Sequence, residues 1–280
     1  MERSEPPSSL PAPAAPPISI TADWPGLPLR PLPADEAHLY FMRLDGLAEP
    51  PPLLYGLLSP EEQKRCDRYV FMRNRIESTC ARALARTALS RYAAVDPRAW
   101  SFAVSERGKP QIAGPLAEPL PGPTATPPLE FNVSHTEGLV LCLVARGRAV
   151  GVDGEFLGRR SDIELLSRRC LSSAEQQALW ALPATAQARR FLLHWTLKEA
   201  YLKARGIGIG LPLAEITILA DDDPQTRAGP PTGFALGPGV ADQPDRWQLG
   251  RCQPTAQHVA AYAIARTAGE VTVLVEEVTP

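Results

Sequence analysis

No cysteine pair forms a C-x-x-C. The five cysteines (Cys66, Cys80, Cys142, Cys170, Cys252) are odd in number and widely spread. This argues against a disulfide framework or a thiolate zinc site and predicts reduced thiols in a cytoplasmic protein. No apolar run approaches the ~18 residues of a membrane span, and the first residues lack the apolar core of a signal peptide. Neither sign of charge dominates. With 29 basic and 31 acidic side chains the net charge is −2, which makes no case for a nucleic-acid binder. Several fingerprints are missing too: G-x-x-x-x-G-K-[ST], H-E-x-x-H and G-x-S-x-G are all absent. The four histidines are too scattered for a zinc site, and His194 and His258 read as structural. Asn132-Val133-Ser134 fits the glycosylation sequon but is expected to stay unmodified without a secretory signal.

Proline is in excess. The chain has 31 prolines in 280 residues, where average usage of roughly 5% would give about 14. Fourteen of them lie in residues 1–60, and another cluster sits at 110–128. Proline fixes φ and removes a donor. Residues 1–35 are therefore expected to form a disordered or extended arm, either strapped to the core near Trp24 or acting as a docking peptide. Ser59-Pro60-Glu61-Glu62 opens a helix with a serine cap, an early proline and two acids at the positive end. Helix is expected to about Ala94, with a break near Met72–Asn74. Residues 60–91 hold eight Lys/Arg against four acids, which reads as a solvated face or a site for a small polyanion. Short strands follow to Asp153, then helices ending at Ala184–Arg205, then strands to Val278. With His38–Leu44 (HLYFMRL) read as a short strand ahead of the first helix, strand, helices and strands occur twice. This predicts an α+β chain of two halves, 36–150 and 151–280, rather than a doubly wound sheet.

Four short motifs carry chemistry. In Val150-Gly151-Val152-Asp153-Gly154-Glu155, a strand puts Asp153 and Glu155 on one face. Two adjacent carboxylates repel unless a cation lies between them, and oxygen ligands favour Mg²⁺; exposed strand ends also show this spacing by chance. In FLLHWTLKEAYLKARG, a helix brings Trp195, Glu199 and Lys203 close to one stripe. Taken alone, Glu199 and Lys203 could be an ordinary i,i+4 pair. Phe131-Asn132-Val133-Ser134-His135 is no catalytic triad, because neighbouring side chains diverge on a strand. Arg107-Gly108-Lys109-Pro110 is a tight turn that could aim a cation at phosphate.

In this order, RGKP, FNVSH, GVDGE and WTLKEAYLK resemble the Sfp-type 4′-phosphopantetheinyl transferases over roughly residues 37–278. The last motif fits the family pattern W-[ST]-x-K-E-[AS]-x-x-K at each defined position. The resemblance implies two similar α+β halves related by a pseudo-twofold, a monomer, and an active site between the halves. It implies Mg²⁺-dependent transfer of 4′-phosphopantetheine from coenzyme A to a serine of an apo acyl, aryl or peptidyl carrier protein, releasing 3′,5′-ADP. Asp153, Glu155 and Glu199 match the metal carboxylates. Lys203 matches the lysine near the pyrophosphate, and Glu199 or a water it holds would be the base. Lys109, Ser134 and His135 match contacts to the coenzyme, and Arg73 matches the arginine on its 3′-phosphate. Gly154 replaces a bulky apolar residue, so the strand is expected to loosen there. Glu62 and Glu77 stand where some relatives carry bases. The competing readings are a non-catalytic protein that binds coenzyme A or a carrier, and an interaction scaffold built on the Pro-rich arm.

Overall fold

The computed structural model describes residues 18–19, 29–117, 126–208, 210–220, 228–267 and 269–280. Most of the Pro-rich arm, Trp24 included, and the middle of the second Pro-rich segment lie outside these residues.

Strands on either side of three consecutive helices build the first half. Its elements are β1 (Ile18–Ser19), β2 (Glu36–Arg43), α1 (Pro52–Tyr55), α2 (Pro60–Asp67), α3 (Met72–Ser90), β3 (Ser101–Val104), β4 (Pro110–Ala113), β5 (Leu129–Thr136) and β6 (Leu139–Arg146). Ser59 caps α2 in a reciprocal box with Glu62, satisfying backbone donors that the first turn leaves open. The break expected near Met72–Asn74 falls slightly earlier, at 68–71. Phe71 is extended and α3 starts at Met72, while the Arg75 guanidinium donates to the carbonyls of Tyr69 and Asp67. The loop is thereby fixed rather than helical. The one-turn helix α1 was not expected from the sequence.

The second half contains β7 (Val150–Phe156), α4 (Ile163–Cys170), α5 (Ser173–Trp180), α6 (Ala184–Arg205), β8 (Ile216–Leu219), β9 (Ala228–Gly229), β10 (Gly233–Leu236), β11 (Trp247–Thr255), β12 (His258–Ala265) and β13 (Thr272–Thr279). Gly206 stops α6 in the left-handed conformation, at φ 65°, which glycine adopts without a Cβ clash.

One topology is written twice. Strand β2, helix α3, hairpin β3–β4 and strands β5 and β6 give the sheet order β2-β6-β5. Strand β7, helix α6, hairpin β8–β10 and strands β11 and β12 give β7-β12-β11. All these neighbours are antiparallel. The fold is therefore α+β with two similar halves. The last strand crosses the division expected at residue 150, because β13 pairs in parallel with β2 in the first sheet.

Period-two alternation explains the layers. On β2 and β6, Leu39, Phe41, Leu141 and Leu143 face Val150, Val152, Ala260 and Ile264 of the other sheet. Tyr40, Met42, Val140 and Cys142 face the opposite way and pack on α3. Ala261 and Ala263 of β12 pack on α6. Two sheets thus lie between two helices. Gly151 allows the tight fit of β7 on α6, since a Cβ there would come within 2.1 Å of the Ala200 carbonyl oxygen.

Gly154 does not loosen β7. Leu141 fills the space, its Cδ1 lying 2.5 Å from where a Cβ would stand, and Gly154 keeps its register with Ala260. Gly154→Val is therefore expected to overpack this layer and cost about 1–3 kcal/mol. Adding Leu141→Ala should recover much of that loss. Urea unfolding of the two single variants and the double variant checks this; a purely additive result would mean that the side chains do not share the space.

Candidate active site

Strands β5 and β7 lie side by side at the seam between the halves, joined by side chains. The Asn132 Oδ1 accepts from the Val152 N–H at 2.9 Å, and the Thr136 Oγ1 accepts from the Phe156 N–H at 3.2 Å. Asn132 is thus buried and bonded, which leaves the sequon no accessible acceptor. Between these two links, Ser134 Oγ donates to Asp153 Oδ1 at 2.9 Å.

Helix α6 supplies the rest of the cluster. Lys203 Nζ donates to Asp153 Oδ1 at 2.6 Å and to Ser134 Oγ at 2.9 Å. Glu155, two residues beyond Asp153 on the same face of β7, accepts from Arg159 at 2.6 Å. Burial, followed by the nearby Asp153 charge, raises the pKa of Glu155 above the usual carboxylate range. Burial and then Asp153 do the same for Glu199. Two oxygens in this cluster, Asp153 Oδ2 and Glu199 Oε1, are buried without a hydrogen-bond partner among the described residues. Unsatisfied buried carboxylate oxygens are costly. The structure therefore brings Ser134, Asp153 and Lys203 into direct contact, with Glu155 and Glu199 close enough to feel the Asp153 charge. Among the described residues no three His, Cys, Asp or Glu side chains are grouped so as to hold a metal ion.

The other candidate residues lie apart from this cluster. His135 points from β5 to the opposite side from Ser134, with its Nδ1 3.6 Å from buried Glu77. Arg73 reaches the same carboxylate at 3.8 Å and Glu137 at 2.9 Å. His135 also lines a cavity of about 510 Å³ between α2, α3, the β3–β4 hairpin and β5, together with Arg65, Arg82, Trp100 and Phe102. Lys109 Nζ donates to the carbonyls of Val150 at 2.9 Å and Ala204 at 3.4 Å. Arg107 donates to the Ile207 carbonyl at 2.7 Å. The RGKP turn thus clamps the C-terminal end of α6, where a cation is favoured by the helix dipole. Glu62 is taken up by its capping box and by Arg86, at 2.7 Å.

Lys198, a position of the motif to which the sequence assigns no role, is fully buried beside the cluster. Its ammonium donates to Glu175 at 2.6 Å, to the Cys170 carbonyl at 2.6 Å and to the Leu213 carbonyl at 3.0 Å. Its sequence signal is its defined place in the pattern W-[ST]-x-K-E-[AS]-x-x-K, which assigns it no role. Arg159 was legible only as a cation four residues after Glu155.

A family model described as the 4′-phosphopantetheinyl transferase superfamily matches residues 149–263, and one for the 4′-phosphopantetheinyl transferase N-terminal region matches residues 52–147. The chain is 33% identical over 233 residues to the 4′-phosphopantetheinyl transferase HetI of Nostoc sp., covering 83% of this chain and 89% of that one. It is 27% identical over 171 residues to the 4′-phosphopantetheinyl transferase Sfp of Bacillus subtilis, covering 61% and 70%. A holo-(acyl-carrier-protein) synthase from Bacillus anthracis, solved with CoA (3′,5′-ADP), overlaps 43% of this chain and 96% of that one, with TM-score 0.34 and 20% identity. The chain belongs to the 4′-phosphopantetheinyl transferase superfamily and is a transferase of that class.

Proposed function

We propose that the chain transfers 4′-phosphopantetheine from coenzyme A to a serine hydroxyl of apo acyl, aryl or peptidyl carrier domains. A bond forms between the serine oxygen and the β-phosphorus. The bond from that phosphorus to the bridging oxygen breaks, and 3′,5′-ADP leaves. The observation that carries this reading is the contact of Lys203 and Ser134 with Asp153 at the seam between the halves, with Glu155 and Glu199 beside it.

Asp153 Oδ2 and Glu199 Oε1 are buried and unpaired, which fits a divalent cation held by Asp153, Glu155 and Glu199. When bound, Mg²⁺ would neutralise pyrophosphate charge and ease departure of the leaving oxygen. Lys203, held by Asp153 and Ser134, supplies a fixed positive charge at the same place. Glu199, or a water that it holds, is the candidate base for the serine proton, because it lies beside Asp153 and Lys203 at the seam. The cavity beside His135 would take the nucleotide end of the coenzyme. Arg73 and His135 face a 3′-phosphate there only in competition with Glu77 and Glu137. Lys109, bound to backbone carbonyls, would fix the end of α6 that carries Lys203 and would have to release those carbonyls to touch phosphate directly.

We place the protein in the cytoplasm as a monomer. All five cysteines are unpaired thiols, and both walls of the seam come from one chain. No helix among the described residues is long and apolar enough to cross a membrane.

The reading is tested by incubating the protein with coenzyme A, Mg²⁺ and several apo carrier domains, then weighing the carriers by mass spectrometry. A phosphopantetheine mass gain is expected, and omission of Mg²⁺ should prevent it. A coenzyme A complex that leaves every carrier unmodified would instead favour a non-catalytic binding protein.

A further inference from the structure

Between α2 and α3, four consecutive apolar side chains face solvent. Val70 is 87% exposed, Phe71 70%, Met72 44% and Tyr69 39%. A run of this kind costs solubility and needs an explanation. The loop is not loose. Arg75 holds the carbonyls of Tyr69 and Asp67 at 2.8 and 3.0 Å, and Tyr55 donates to the Asp67 carboxylate at 2.9 Å. The apolar side chains are therefore presented on a fixed backbone.

The position of the loop matters. Arg73, two residues beyond Phe71, reaches Glu137 in the turn between β5 and β6. His258 of the second half bonds the carbonyl of that same Glu137 at 2.7 Å. The patch thus borders the seam that holds the carboxylate cluster. Its setting is also strongly basic. Residues 64–75 contain five cations and one acid in a chain whose net charge is −2; Arg73 is paired with Glu77 and Glu137, which leaves Lys64, Arg65, Arg68 and Arg75 against Asp67. The complementary partner has an apolar ridge set in acidic surface.

We propose that Val70 and Phe71 form a docking surface for the carrier domain, seating an apolar ridge while Arg68 and its neighbours meet acidic side chains. This rests on the transfer reading above, because the acceptor serine must be brought to this seam.

Val70→Ser/Phe71→Ser tests it. Both sites are exposed, and Phe71 is the N-cap of α3 without a side-chain cap. Serine there supplies one, so the fold should be at least as stable. Steady-state transfer would be measured with an acidic apo acyl carrier protein and an apo peptidyl carrier domain. The expected result is a rise in KM for the carrier of about tenfold or more, with kcat, KM for coenzyme A and Tm unchanged. Arg68→Glu should raise the same KM and flatten its salt dependence. If the wild type transfers normally and the serine variant has the same carrier KM, the docking surface is overturned and the transfer reading stands. No transfer by the wild type to either carrier would overturn both. Sedimentation adds one more outcome: a wild-type dimer that the serine variant dissociates, with carrier KM unchanged, would assign the patch to a second copy and overturn carrier docking.

Discussion

Glu199→Gln is expected to lower transfer by on the order of 10²–10³-fold while raising the Tm of the cation-free protein. Both effects have one cause. In the wild type, burial and the neighbouring Asp153 raise the folded-state pKa of Glu199, and burial and Asp153 raise that of Glu155 as well. A carboxyl group whose pKa is raised on folding stabilises the fold fully below its unfolded pKa. It loses that contribution as pH rises through the folded value. Gln is neutral at every pH and lacks this loss. The Tm difference between variant and wild type should therefore be largest at neutral and alkaline pH, and should vanish toward about pH 4, the ordinary Glu range. Mg²⁺ should reverse the order. A cation among three carboxylates relieves their repulsion, so it should raise the wild-type Tm more than the variant's. Thermal melts across this pH range, with and without Mg²⁺, run beside the carrier mass assay, read all three effects. Near-normal turnover in Glu199→Gln would remove it from both the metal and the base roles. Equal Mg²⁺ responses would remove it from the metal role alone.

How much of this was legible in the sequence follows from the range of the signal. Asp153 and Glu155 share a face because a strand alternates, and Glu199 and Lys203 share one because a helix repeats every 3.6 residues. Both relations are local, and both are visible in the letters. The caps at Ser59 and Gly206 are local too. The destination of β13 is not. The alternation in Thr272–Thr279 says strand, but nothing within it names β2 as the partner 236 residues earlier, Glu36 facing Thr272. Lys109 shows the same limit. Its turn suggests a cation aimed outward, whereas the carbonyls that hold it belong to Val150 and Ala204. Gly154 was misread because the residue that fills its space, Leu141, comes from the other sheet.

Lys198 presents the sharpest case, and its substitution should have the largest effect on stability. Lys198 and Glu199 are neighbours of similar polarity, yet a helix turns about 100° per residue. One faces the seam, and the other enters the interior behind it. There the Lys198 ammonium joins the end of α4 at Cys170, the start of α5 at Glu175 and the turn at Leu213. Glu175 in turn accepts from the backbone N–H groups of Ser172 at 2.6 Å and Ile218 at 2.8 Å. The pair thus fixes the rotation of α6 that points Glu199 at Asp153. Burial lowers the pKa of Lys198, against the pull of Glu175. Removing one partner of a buried pair leaves the other unpaired, so Lys198→Met should cost about 3–5 kcal/mol. That corresponds to a fall in Tm of roughly 10 °C for a chain of this size. Adding Glu175→Gln should recover part of the loss, because Gln removes the unpaired charge but keeps a carbonyl for the Ile218 N–H. The coupling in this double-mutant cycle should be of order 1 kcal/mol or more. Independent, additive losses would mean that Lys198 acts only through its two backbone carbonyls. In the double variant, a kcat that stays low while KM for coenzyme A is unchanged would separate the positioning of Glu199 from mere stability.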